Sequence, residues 1–432
     1  MREIMPLARY TNTREFSPAN AEHFLQRNRN LRVMKALYFE NKLSRVAMLK
    51  AASLFSKYAA LGPFSPLRYR DIAEPRIPNP RWLKVRNRCC GLCGTDIHFM
   101  FMDVDPKCFS AAMPGIRKKF LGHELVAEVV EAGSEVTGFV PGDRVAMRID
   151  WPSCFQMEID PPCAQCAAGS YMLCENIGKK TLPIEDIGGG FSPYMVMHQT
   201  QPFKIPDALD DDTAVLLEPM ASAVHGVLKA KPASGDRVLV IGGGTIGLLT
   251  VAAVRRLFPG AEIFCLVRYP FQVRVAEKLG AAVLLDSGGL YRRIADVTGG
   301  RHAKGYFGNE IILGGFDVIY DTVGNDASLQ HALRWTKGGG TVVLIGINFK
   351  PGKIDYSPVW CQEIRVAGIN CHATESDGRT SFDIAAELLL AGCISPADII
   401  THRFPVTQYK DAVRAFLSKR TSQAIKIVLQ HT

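Results

Sequence analysis

Three groups of residues in this chain have the types and spacing to do chemistry. Cys154, Cys163, Cys166 and Cys174 fall within 21 residues. Four thiolates in one loop suit a closed tetrahedral zinc site that stabilises structure. Asp160, three residues before Cys163, could replace Cys154 as the fourth ligand. The competing reading, a loop of free thiols, would leave four clustered cysteines open to oxidation without a purpose. A second group is dispersed: Cys93 in Gly91-Leu92-Cys93-Gly94-Thr95-Asp96-Ile97-His98, His123 and Glu124 after Gly122, and Glu218 before Pro219. Alone, each has a plainer reading, a satisfied core histidine or a helix-capping carboxylate. Together they offer a thiolate, an imidazole and two carboxylates, the ligand set of a catalytic zinc with an open position.

The third group is Gly242-x-Gly244-x-x-Gly247, at the end of an apolar run and the start of a helical pattern. The first glycine allows a tight turn, the second a close approach of backbone to a pyrophosphate, and the third close helix–strand packing. The N–H groups of Thr245, Ile246 and Gly247 then face the phosphates at the helix N-terminus. An acidic residue about twenty positions on normally accepts the ribose hydroxyls of NAD. Here Val267 stands at that place, followed by Arg268, which could hold a 2′-phosphate bidentately. NADP is therefore favoured over NAD. The alternative is a solvated Arg268 and an enzyme that takes either cofactor.

The elements that must position these groups are of two kinds. From Met34 to about Phe203, short alternating runs such as Leu125–Glu131 and Arg144–Ala146 are broken by Pro and Gly turns. That pattern predicts an antiparallel, barrel-like β domain. Within it, apolar spacing over Arg45–Ala60 predicts one amphipathic helix, a lid, an oligomer contact or a packed surface helix. From about Ile205, strands at Val238–Ile241, Ile263–Val267, Ala282–Leu285, Val318–Tyr320 and Thr341–Ile345 alternate with helices over Ile246–Leu257 and Gln272–Leu279. Such alternation predicts a parallel sheet covered on both faces. A helix over Gln408–Leu417 and a strand over Ala424–Leu429 close the chain and could return to the first domain.

Composition sets the outer limits. The 432 residues are 47% hydrophobic and 22% charged, ordinary globular values that exclude a disordered chain. The net charge of +9 is spread along the sequence, with no basic stripe interleaved with aromatics, so nucleic acid is not an expected partner. The longest uncharged apolar run, Val238–Val254, is shorter than the ~20 residues of a membrane span and has Gly242, Gly243 and Gly244 inside it. No membrane association is expected. Residues 1–33 carry six arginines interrupted by Glu3, Glu15 and Glu22, which fits neither a signal nor a transit peptide. A reducing cytoplasm is the expected location, where clustered cysteines read as metal ligands rather than disulfides.

These motifs resemble the zinc-dependent medium-chain dehydrogenases, the alcohol, sorbitol, threonine and glucose dehydrogenase superfamily. The resemblance rests on 91–98, Gly122-His123-Glu124, the cysteine lobe, Leu217-Glu218-Pro219 and the glycine loop at 242–247, and covers Met34 to the C-terminus. Glu218, where classical alcohol dehydrogenases carry Cys, resembles the polyol and threonine branch. The resemblance implies a fold of α/β class: a GroES-like β-barrel catalytic domain over 34–204, completed by 364–432, and a Rossmann domain over 205–363, after an extension at 1–33. It implies a catalytic zinc on Cys93, His123 and Glu218 or Glu124, and a structural zinc on the cysteine lobe. Thr95 and His98 are similar to the family's proton relay, with Glu124 close to the reacting centre. It further implies a homo-oligomer, dimer or tetramer. Hydride would pass between a secondary alcohol, of polyol, sugar or amino-alcohol type, and NAD(P). The alternatives are a zinc-free quinone or enoyl reductase on this fold and a non-catalytic NADPH-binding interaction protein. Segments near 42–62, 99–120 and 301–315, and the gap between Cys154 and Cys163, are longer than the family's usual pattern, so no single substrate follows.

Overall fold

Six parallel strands form the centre of the C-terminal half. In spatial order they are Ala282–Leu285, Glu262–Val267, Arg237–Ile241, Phe316–Asp321, Thr336–Leu344 and Arg365–Gly368. Numbered along the chain this is 3-2-1-4-5-6, the doubly wound order in which ligands bind where the strand order reverses. That point is the end of Arg237–Ile241, where the glycine loop begins. Val238, Leu239 and Val240 are wholly buried, as an apolar run covered by helices on both faces must be. This is a computed structural model of the chain, describing residues 32–114, 118–148 and 151–431. Residues 1–31 of the N-terminal extension lie outside the described residues.

The N-terminal half is antiparallel. A sheet runs Lys426–Gln430, Trp82–Gly91, Glu124–Ala132, Arg144–Met147 and Pro202–Lys204, with Tyr194–His198 also paired to Trp82–Gly91 and Ile400–Pro405 parallel to the outer face of Lys426–Gln430. A three-stranded sheet of Leu67–Ala73, Val33–Glu40 and Lys118–Phe120 adjoins it. The chain's end thus returns to its first half, placing Lys426 beside residues 302 positions earlier. Helix Leu217–Lys229 carries almost no exposed surface. It packs within a core shared by both halves, reaching from Cys89, Val126 and Ala146 to Val238, Val240 and Val343. A helix apolar on nearly every side is stable only in such a place. Tyr320 donates its hydroxyl to Val227 O and Ala230 O, locking the helix C-terminus to the parallel sheet.

Several expectations shift. Helix 45–60 is shorter: Leu43–Ser53, followed by a 3-10 turn at Ala59–Leu61. Only Leu49 of that helix is buried, while Leu43, Leu54 and Phe55 face solvent, so the apolar stripe does not seat on the core. Strand Arg365–Gly368 belongs to the parallel sheet, which therefore extends past residue 363. Residues 301–315 form a separate two-stranded hairpin of Arg301–Lys304 and Glu310–Leu313, whose Ile312 packs into the core with Phe316 and Trp335.

Candidate active site

Cys93 ends the loop after strand Trp82–Gly91 and caps helix Gly94–Phe101. Its N–H donates to Asp96 Oδ2 at 3.0 Å, and the N–H of Gly122 donates to Asp96 Oδ1 at 3.0 Å. One buried carboxylate therefore fixes the backbone under Cys93 and beside His123, whose Nδ1 lies 3.8 Å from it. Burial raises the pKa of Asp96 even against His123 and the two backbone donors. Gly122 sits at φ +87°, where a side chain would be strained, and a Cβ would strike Phe191 at 2.9 Å. The turn into His123 and Glu124 depends on that glycine.

Ligand atoms of Cys93, His123 and Glu124 lie within 4.8 Å of one another. A tetrahedral zinc at ~2.0–2.3 Å from each donor would sit among atoms so spaced, and the donor set suits it. Glu218 stands outside this cluster, its Oε1 3.9 Å from His372 Nε2. Glu124 is held instead by a residue not singled out in the sequence. Lys426, 2% exposed, donates Nζ to Glu124 Oε2, itself 2% exposed. Burial alone would depress the ammonium's pKa, but Glu124 and Cys93 carry it above its ordinary value. Gly91 makes room for the pair: a Cβ there would lie 2.0 Å from Glu124 Oε2 and 2.7 Å from Lys426 Cε. The visible signal was a lone lysine inside an apolar strand.

Thr95 Oγ1 is 3.7 Å from Cys93 Sγ. His98, one turn on, is pinned between Asp103 (Nδ1 to Oδ2, 3.6 Å) and the edge of Phe349, ring centroids 5.2 Å apart. Burial and Lys350 lower the His98 pKa, partly opposed by Asp103. Lys350 in turn pairs with Asp103 at 2.7 Å. The segment after His98 thus touches the 347–350 loop of the other half.

The glycine loop has the geometry a dinucleotide needs. Gly242 adopts φ +113°, and a Cβ on Gly247 would overlap Gly242 O at 1.7 Å. Gly244, the N-cap of helix Thr245–Leu257, faces open space, so nothing blocks a pyrophosphate from its backbone. Thr245 Oγ1 donates to Ile425 O at 3.0 Å, tying this helix to the returning strand. Arg268 follows the buried Val267 and lines a recess of about 700 Å³ together with Asp286, Arg420 and Gln423. Arg420, from the chain's end, is another residue the sequence did not single out.

The four lobe thiols, Cys154, Cys163, Cys166 and Cys174, also converge within 4.8 Å. The Cys154 and Cys174 sulfurs are 3.7 Å apart, far beyond a disulfide bond. Cys163 N–H and Asn176 Nδ2 donate to Cys154 Sγ at 3.3 and 3.2 Å, holding it as an acceptor. Asp160 is exposed and not in the group. The structure therefore places Cys154, not Asp160, as the fourth member.

The Alcohol dehydrogenase GroES-like domain family matches residues 79–207, and the Zinc-binding dehydrogenase family matches residues 245–387. L-idonate 5-dehydrogenase of Vitis vinifera is 30% identical over 81% of this chain and 88% of its own length. Sorbitol dehydrogenase of Bacillus subtilis is 27% identical over 86% of this chain and 96% of its own. The crystal structure of 2R,3R-butanediol dehydrogenase from Bacillus subtilis superposes with a TM-score of 0.67 at 26% identity, covering 92% of this chain and all of the other. Among the described residues no helix is long and apolar enough to cross a membrane. With both halves of the fold matched and a relative aligned over most of its length, the chain belongs to the zinc-dependent medium-chain dehydrogenases and is an alcohol oxidoreductase.

Proposed function

We propose that the chain transfers hydride between a secondary alcohol and NADP at the cluster of Cys93, His123 and Glu124. The observation that carries this reading is the convergence of those three ligand atoms within 4.8 Å. Zinc bound there would supply Lewis acidity that favours loss of the alcohol proton. The chain's own residues do the rest. Asp96 holds Cys93 and His123 in register, and Lys426 fixes the direction of the Glu124 carboxylate. Thr95 Oγ1 takes the alcohol proton, and His98 accepts it onward, because its depressed pKa leaves it neutral at physiological pH. Glu218 is the remaining carboxylate, one step away beside His372. The relatives named above act on an acid, a polyol and a diol, so their names leave the substrate's charge open.

For the cofactor, Val267 stands where an acidic residue would hold the ribose hydroxyls of NAD, and Arg268 and Arg420 line one recess beside it, two cations against the single carboxylate of Asp286. The structural zinc belongs to Cys154, Cys163, Cys166 and Cys174. A cytoplasmic homo-oligomer, dimer or tetramer, completes the reading. The test is equilibrium binding of NADPH and NADH to the protein and to Arg268→Ala. NADPH should bind more tightly and lose affinity in the variant, with NADH nearly unchanged. Equal affinities, or an equal loss for both, would overturn the NADP assignment.

A further inference from the structure

One charged group near the cluster has no role in the chemistry above. Arg148 follows strand Arg144–Met147 at the edge of the lobe. Its backbone N–H donates to Gln201 O at 2.7 Å and its Nη2 to Thr200 O at 3.1 Å. Its Nε is buried and has no hydrogen-bond partner among the described residues. Asp383, an acidic group near it, already receives the N–H and hydroxyl of Thr380 as part of a helix cap, at 2.8 and 2.6 Å. Among the described residues no carboxylate pairs with this largely buried guanidinium, which is unfavourable unless something else supplies the negative charge.

The guanidinium lines a recess of about 190 Å³ together with Tyr171, Thr374, Phe382 and the imidazole of His372. The walls are held firmly. Asn370 Nδ2 donates to Met172 O at 2.9 Å, and a Cβ on Gly169 would strike Thr374 Oγ1 at 2.5 Å. His225, on the same helix as Glu218, binds Glu375 at 2.8 Å, and Ser381 donates to that carboxylate. These contacts fix the loop that carries His372. The imidazole, which lines the recess of Arg148, lies 3.9 Å from Glu218 and within electrostatic range of both His123 and Arg148.

We infer that Arg148 binds a carboxylate on the substrate, which makes the substrate a hydroxy acid of the sugar-acid type rather than a neutral polyol. The inference rests on the hydride-transfer reading and names the substrate class of that site. A single guanidinium beside an imidazole matches a monoanion. A phosphate dianion would call for more cationic donors than this recess holds.

The experiment compares C4–C6 aldonates, their matching alditols and sugar phosphates, by steady-state kinetics with NADP and by calorimetric binding to the NADP-loaded enzyme. Aldonates should bind tightest. Arg148→Met should weaken them roughly 10- to 100-fold, the range for a lost hydrogen-bonded charge, and leave the alditols within about threefold. Arg148→Lys should restore part of the loss. Zinc content and melting temperature of each variant report on folding. Should Arg148→Met not fold, the unmutated protein and Arg148→Lys still decide the matter. Equal binding of aldonates and alditols, equal loss for both, or a preference for phosphates would overturn the inference. Arg148-dependent aldonate binding without turnover of any alcohol would uphold it and overturn the hydride-transfer reading instead.

Discussion

Replacing Lys426 by Met removes the cation under Glu124 while keeping most of the side chain's volume. Both partners are 2% exposed, so water cannot take over the ammonium's role. Removing one member of a buried ion pair leaves the other charge uncompensated, at about 3–5 kcal/mol. Lys426→Met should lose that much stability in urea unfolding of the chelator-treated protein. Adding Glu124→Gln should recover most of it, because the stranded charge is then gone, leaving a deficit of about 1–2 kcal/mol from unmet hydrogen bonds. Zinc loading should shrink the loss in the single variant, since a cation beside Cys93 and His123 would stabilise the same carboxylate. Gly91→Ala provides an independent check, because its methyl would fall between the two groups. A loss under about 1 kcal/mol for Lys426→Met, or a double variant that loses the sum of the singles, would refute the reasoning.

Three other outcomes follow from the geometry. The acid limb of alcohol oxidation, read from the pH profile of kcat/KM, should shift downward in Asp103→Asn and upward in Lys350→Met, because Asp103 raises and Lys350 lowers the His98 pKa. Cys154→Ser should lose one zinc per chain by elemental analysis, whereas Asp160→Asn should keep both. Burial and Arg81 depress the His198 pKa to about 4. The unfolded chain therefore takes up that proton first, and stability should fall as pH drops from about 6.5 toward 4. His198→Leu should flatten that part of the urea-midpoint profile.

Much of the fold is legible in the sequence where one local requirement dominates. The glycine loop reads clearly because Gly242 must adopt positive φ and Gly247 must touch backbone. The strands Val238–Ile241 and Ile263–Val267 read as continuous apolar runs because helices cover both faces. Local reasoning fails where the deciding contact is distant. Lys426 meets Glu124 across 302 residues, and only the returning strand reveals it. Arg420 reaches the Arg268 recess, and His372 reaches Glu218, in the same way. The choice between Cys154 and Asp160 turns on the path of the loop, which spacing does not encode. Helix 45–60 misleads because Leu54 and Phe55 fit a helical stripe yet end in solvent. Strand Arg365–Gly368 joins the parallel sheet by register with Thr341–Leu344, a pairing invisible in a four-residue segment.

The central claim is that Cys93, His123 and Glu124 hold the metal at which hydride transfer occurs. Zinc content measured together with NADPH formation from secondary alcohols, in the unmutated protein and in Cys93→Ala, tests it most directly. The account predicts two zincs and turnover in the first, and in the second one zinc, no turnover and undiminished NADPH binding. A single zinc in the unmutated protein, or turnover surviving in Cys93→Ala, would contradict it.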